Sequence, residues 1–246
     1  MISFFDAKAI NIILGCIVVL SFFSMHFIEM TSFGSRVAGR VVNRVALGTT
    51  LQLSIFTLSR AFLIPFLPVL GYLVETEILK KDYLILAISS YLLTLAFSIV
   101  ILLKMNKFQL FFQKIFINYD NSSIPKAFIK TLLNYDTNYE LKAFENFSYD
   151  RVIVKKTFVS SIAYLFLISG FYIAFFLAII YPDNRLTLTQ FTASFHGVGA
   201  IIVATYIDPM LSRSIDTNDD QKSWINNIYS ILLGRVLSYI LIILLL

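Results

Sequence analysis

Six stretches of this sequence are long and continuously apolar: 10–30, 45–73, 83–103, 158–181, 188–207 and 225–246. A hydrocarbon core about 30 Å thick takes roughly 20 apolar residues to cross as a helix. Each stretch meets that length. A barrel strand would instead alternate apolar and polar residues over about ten positions, and these runs do not alternate. Inside lipid every backbone N–H and C=O needs an internal partner, which a helix supplies within one segment. The expected fold is therefore all-α, a polytopic membrane bundle of about six transmembrane helices forming one domain over 1–246. Composition agrees: 58% of residues are apolar and 14% charged, with a mean hydropathy of +0.78. Soluble domains carry about 25% charged residues.

The first apolar run is too long for the h-region of a cleavable signal, and Arg-rich sequence follows it rather than a small-residue cleavage site. Lysine and arginine are distributed unevenly. The stretches after spans one, three and five hold three, nine and two of the 20. Basic residues remain on the cytoplasmic side, so these loops are expected inside and both termini outside. The long loop, 104–156, reads as two amphipathic segments, 108–117 and 124–134. Phe108, Phe111, Phe112, Ile115 and Phe116 cluster on one side of the first, with Asn106, Lys107, Gln113 and Lys114 on the other. Such a segment lies either in the membrane interface, with lysines near anionic headgroups, or beneath the bundle as a connector. The net charge of +5 is accounted for by this loop, with membrane lipid and no nucleic acid as partner.

Spans three and four are almost pure hydrocarbon and are expected to face lipid over much of their surface. Polarity enters the other four. Arg60 and Arg235 lie near the middle of spans two and six. An arginine at that depth costs about 2.5 kcal/mol or more and faces a bundle interior or a wet cavity, and it cannot shed its proton. It needs a carboxylate partner, in which case the pair clamps two helices, or an anionic ligand. The acids near the spans are Glu29 and Asp208, both expected close to the cytoplasmic boundary and neither placed to neutralise a midspan arginine. Two such arginines with so few acids favour an anion site. Arg36, Arg40 and Arg44 follow at four-residue spacing, one stripe if helical, suited to bidentate contact with phosphate or serving only as the positive-inside signal. Ser59 and Gln52 add hydrogen-bonding groups in span two. Pro65 and Pro68 remove backbone donors there, kinking the helix or breaking it around a cavity. Gly197 and Gly199 suit close helix packing. His26 and Glu29, three residues apart, share a helix face; together with Asp208 they are candidates for proton coupling or gating, the alternative for His26 being an interfacial hydrogen bond.

Several chemistries lack their residues. Cys16 is the sole cysteine, the two histidines are far apart, and no metal site or cofactor is expected. No Gly-x-Ser-x-Gly, His-Glu-x-x-His, Walker or paired-carboxylate pattern is present, so no catalytic residue is assigned and an enzyme is not expected.

The residues in order resemble a family. His26-Phe-Ile-Glu-Met-Thr, Ser35-Arg36-Val-Ala-Gly39, Arg44-Val-Ala46, Ser59-Arg60 and Pro65 to Leu70-Gly71 resemble the opening of the Amj family, bacterial lipid II flippases that are alternates to MurJ. Toward the far end His196-Gly197 precedes an apolar run into Asp208-Pro209, then Ser212, Asp216 and Arg235. The chain departs from the family in having Glu29 for aspartate and His196 for asparagine, which leaves His196 without an expected role. The resemblance implies transfer of lipid II, the undecaprenyl-pyrophosphate-linked peptidoglycan precursor, from the inner to the outer leaflet of the bacterial cytoplasmic membrane, and thereby a part in cell-wall biogenesis and cell shape. Arg60 and Arg235 would then hold pyrophosphate, Arg36, Arg40 and Arg44 would gather it, and Ser59 and Gln52 would meet the sugars. A homodimer would help six spans to enclose so bulky a headgroup. The alternatives are a flippase for another polyprenyl-linked or anionic lipid, and a non-transporting membrane scaffold or regulator.

Overall fold

The computed structural model describes residues 4–119, 123–133, 147–216 and 221–246. They form an all-α bundle with six helical segments long and apolar enough to span a membrane: Ile10–Val41, Val45–Glu75, Lys80–Leu103, Val154–Ile180, Pro182–Ser214 and Trp224–Leu245. The chain is a multi-pass membrane protein.

Helix α1 (Phe4–Val41) does not stop at Met30. Its 38 residues make it about 57 Å long at 1.5 Å per residue, so Arg36 and Arg40 ride on the same rod as His26 and Glu29. The turn after it uses Asn43 at φ 57°, a left-handed conformation that asparagine accepts more readily than most residues. Helix α2 (Val45–Ser59) then returns along α1. The pair meets at glycine. A Cβ on Gly39 would lie 2.7 Å from Gly48 Cα, and one on Gly48 2.7 Å from Ser35 O; Ser35 Oγ donates to Gly48 O at 3.0 Å. Gly48→Leu should therefore abolish folded protein in the membrane fraction, whereas Gly48→Ala should remain folded but melt earlier in detergent, overpacking costing about 1–3 kcal/mol.

Span two is broken. A 3-10 turn at Arg60–Phe62 separates α2 from α3 (Leu63–Glu75). Pro65 has no N–H to offer Ala61 O, which loosens the helix just there. Helix α4 (Lys80–Leu103) crosses back, followed by α5 (Met105–Tyr119) and α6 (Ile124–Leu133). The α5 segment packs into the bundle: Phe112, Ile115 and Phe116 are buried with Ala38 and Leu51, and Gln113, placed above on the polar side, is buried too. One face of α5 is thus packed on α1. Helix α6 is the segment that leaves Ile129, Leu132 and Leu133 exposed. The expected segment end at Asn134 lies outside the described residues, as does 134–146 of the long loop.

Helix α7 (Val154–Ile180) overturns the expectation for span four. Of its most apolar stretch 61% is buried, equal to span six and far above 17% in span two and 6% in span five. An apolar run looks the same whether it meets lipid or other helices, and α7 is the central one. Tyr83 donates to Tyr172 O at 2.8 Å and Tyr172 to Ser90 Oγ at 2.6 Å, tying α4 to α7 with hydroxyls that would be costly in hydrocarbon. Span five comprises α8 (Arg185–Ile202), a π-helical turn at Val203–Ile207 and α9 (Asp208–Asp216). Gly199 packs on Ala163 and Leu167 of α7, but Gly197 has open space where a Cβ would stand, so only the first serves close packing. Helix α10 (Gln221–Leu245) completes the bundle against α7 and α4.

Candidate functional site: a shared carboxylate among arginines

Glu29 lies inside α1, 2% exposed, and not at a boundary. The antiparallel return of α2 brings Ser59 and Arg60 to its level, and α10 brings Arg235. One carboxylate then serves both midspan arginines. Glu29 Oε2 receives Arg235 Nη2 at 2.5 Å, and Oε1 lies 3.0 Å from Arg60 Nη2. Ser59 Oγ donates to Oε1 at 3.3 Å. The expectation that Glu29 could not neutralise a midspan arginine fails because it took the first helix to end at Met30. A rod extending to Val41 puts Glu29 at midspan.

His26 sits one turn back, its Nδ1 2.9 Å from Arg235 Nη2 and 3.2 Å from Glu29 Oε2. A guanidinium nitrogen only donates. Nδ1 can accept from Arg235, with the ring proton on Nε2, or carry a proton and donate to Glu29, but not both. His26 Nε2 is buried and has no partner. The ring is held edge-on by Phe22, centroids 4.4 Å apart. His196 joins as well: its Nε2 lies 3.4 Å from Arg60 Nη1, and Phe171 packs against its ring at 4.5 Å. This contact gives His196 a place that the sequence did not suggest. Tyr164 of α7 is another residue missed, its ring beneath the Arg235 guanidinium at 4.8 Å; the available signal was a phenol in a mostly apolar run, a side chain that needs a polar neighbour when buried.

A second pair lies further along α1. Arg36 Nη2 donates to Asp208 Oδ1 at 3.0 Å, seven residues and so about 10 Å from Glu29. Asp208 starts α9 immediately after the π-helical turn. Arg40 is in the last turn of α1. Arg44 is the N-cap of α2, so the three arginines do not share one helix; the turn at Asn43 divides them. Gln52 is buried on α2 with Oε1 unpartnered and belongs to neither pair. Asp216 closes α9, its side chain outside the described residues.

The electrostatic balance is uneven. Arg36, Arg60 and Arg235 share Glu29 and Asp208, leaving one positive charge in excess with neutral histidines. Donors are in excess too. Arg36, 3% exposed, has no acceptor for Nε or Nη1. Arg235, 1% exposed, has no acceptor in close hydrogen-bond geometry for Nε or Nη1, the Tyr239 hydroxyl beside it serving as a weak partner. An unmade buried hydrogen bond costs about 1–3 kcal/mol, more on a charged group. An oxygen-rich anion would supply both the charge and the acceptors. Among the described residues no three His, Cys, Asp or Glu side chains gather as metal ligands.

A groove of about 610 Å³ lies elsewhere, lined by α1 and α4 residues such as Gly15, Cys16 and Leu86. Gly15 is about 21 Å along α1 from Glu29, and none of the charged cluster faces the groove.

No curated protein and no solved structure matches the chain significantly. The profile of the Amj family, described as Alternate to MurJ, matches residues 21–246, a stretch that begins just before His26 and includes Glu29, Arg36, Ser59, Arg60, Tyr164, His196, Asp208 and Arg235. With almost its whole length matched, this chain belongs to the Amj family.

Proposed function

We propose that the protein moves lipid II from the inner to the outer leaflet of the bacterial cytoplasmic membrane. Arg60 and Arg235 hold its pyrophosphate at the membrane centre, and Arg36 receives it nearer the basic end of the bundle, with Arg40 and Arg44 gathering it at the surface. The family name points to this role. The observation that carries it is that three guanidiniums share two carboxylates, with N–H donors of the buried Arg36 and Arg235 left over. Guanidinium and phosphate pair strongly and with matched geometry, and a fixed cationic site offsets the loss of water around the headgroup at midspan. Glu29 and Asp208 hold the arginines between cycles and give way to phosphate oxygens. His26, confined to one of two partners, is placed to pass a proton when Glu29 is displaced. Basic residues favour the cytoplasmic side, which puts the α1–α2 turn and α5 inside and both termini outside.

The test is rescue. In a bacterium depleted of its own lipid II flippases, expression should restore growth and exposure of labelled lipid II. Arg60→Ala should reach the membrane in near-normal amount yet lower exposure at least tenfold. A second reading has its own observation: both midspan arginines are paired through Glu29, as in a scaffold clamped by ion pairs. It predicts that Arg60→Ala loses abundance and leaves per-molecule activity unchanged.

A further inference from the structure

Four of the spans are unbroken helices: α1, α4, α7 and α10. The two interrupted spans meet through the side chains of Arg60 and His196. Span two carries the 3-10 turn at Arg60–Phe62, and span five the π-helical turn at Val203–Ile207. These are also the two least buried spans. Helices α2 and α3 lie on α1, and α3 also reaches α7; α8 lies on α7. Among the described residues no packed seam joins α8 to α2 or α3. An ion pair from Arg185 Nη2 to Glu77 Oε1 at 3.7 Å ties the start of α8 to the turn after α3, and at mid-depth Arg60 Nη1 meets His196 Nε2 at 3.4 Å.

That contact is partly open. The Arg60 side chain is 26% exposed at the middle of a span whose neighbours, Leu53 and Ile64, are exposed and apolar. A guanidinium facing hydrocarbon at that depth is costly, and intramembrane arginines face bundle interiors or wet cavities. Irregular backbone at membrane depth is likewise tolerated where it is buried in protein or lines such a cavity, and π-turns occur often at functional sites. On the other wall, Gly197 beside His196 leaves space where any other residue would place a Cβ. A charged, roomy break between apolar rims admits a polar group whose attached chain remains in lipid.

We propose that the seam between α2–α3 and α8 is a lateral portal, through which the phosphate-bearing headgroup of a polyprenyl lipid reaches Arg60 while its tail stays in the bilayer. The Arg60–His196 contact is the latch. In it the guanidinium donates to a neutral imidazole nitrogen. A phosphate oxygen is the stronger acceptor of the same N–H, so the ligand opens the latch by exchange and Arg60 is never left without a partner. The class of lipid rests on the function proposed above. The position of the portal rests on the helix breaks, the missing packed seam and the partly exposed guanidinium.

The test uses cysteine pairs in a Cys16→Ser background, which removes the only native thiol. Ile64→Cys with Ala193→Cys would join the portal walls through a bifunctional thiol reagent bearing a reducible linker. Ile12→Cys with Ile85→Cys would join α1 to α4 across the remote groove. Binding of undecaprenyl pyrophosphate is measured in nanodiscs, and lipid II transport in parallel. Cross-linking the portal pair should weaken binding at least tenfold, with recovery on reduction, and cross-linking the groove pair should change it less than twofold. Unchanged binding with the portal closed overturns the proposal, as does an equal loss from the groove pair. Binding that is blocked by the portal cross-link in a protein that transports no lipid II upholds the portal and overturns the flippase reading. Absence of binding before cross-linking overturns both.

Discussion

Glu29→Gln should be among the most damaging isosteric substitutions in this protein, destabilising it by about 3–5 kcal/mol, the usual effect of removing one partner from a buried ion pair. The side chain keeps its shape but loses the charge that two arginines share, Arg235 at 2.5 Å and Arg60 at 3.0 Å. Arg235, 1% exposed, cannot turn to water or give up its proton. Arg235→Gln should also destabilise, though less, because Arg60 and Ser59 still hold Glu29. Carrying both changes leaves no unneutralised charge at Arg235 and should recover most of the lost stability, a coupling that a double-mutant cycle in detergent melts would measure. Transport should not recover. The double variant keeps the excess positive charge of the cluster through Arg60 but has lost the two-arginine clamp. Strictly additive losses of stability would show that the carboxylate and Arg235 act independently.

Gly234→Leu should give no folded protein, and Gly234→Ala should remain folded but lose activity beyond its modest loss of stability. A Cβ at Gly234 would stand 2.5 Å from Thr157 O and 2.6 Å from Ser160 Cβ. That seam is fixed by Ser160 donating to Ile231 O at 3.0 Å and by Ser230 accepting from the Ile153 N–H at 2.8 Å, while Lys156 donates to Asn227 at its end. Backbone oxygen does not yield as a side-chain tip would, so even one methyl must push α10 away from α7, at about 1–3 kcal/mol. Arg235 is the next residue, and its hold on Glu29 depends on where α10 lies. The check is to compare thermal stability with transport per folded molecule. Gly234→Ala with unaltered transport would show that Arg235 tolerates a shift of its helix.

Much of this was legible in the sequence, and what was missed has definite causes. Uninterrupted apolar length identified six spans because lipid imposes a length that a soluble core does not. Arg60, Arg235, His26 and Glu29 stood out because charge inside such runs is expensive. Their mutual contacts did not, since hydropathy ends a helix at the first polar stretch whereas α1 continues through Ser32, Ser35 and Arg36, all buried against other helices. Ending it at Met30 placed Glu29 at a boundary and hid its partnership with both arginines. The central position of α7 was hard to read for a different reason: Ile, Leu and Phe suit lipid and protein neighbours equally, and the hints of an interior were a few hydroxyls, those of Ser160, Ser161, Tyr164, Ser169 and Tyr172. Pro65 did signal the break at Arg60–Phe62, through its missing donor. Pro209 bears the same relation to the π-helical turn at Val203–Ile207, having no N–H to offer Thr205 O, a signal the sequence reading did not use.

The central claim is that a buried, cation-rich cluster carries a pyrophosphate lipid across the membrane. Its most direct test is the translocation of labelled lipid II in proteoliposomes holding the purified protein and no other. Lipid II should move between leaflets at a rate proportional to protein, be slowed by excess undecaprenyl pyrophosphate, and fall to the protein-free rate with Arg60→Ala. Translocation no faster than in empty vesicles, from protein shown to be folded, would contradict the account.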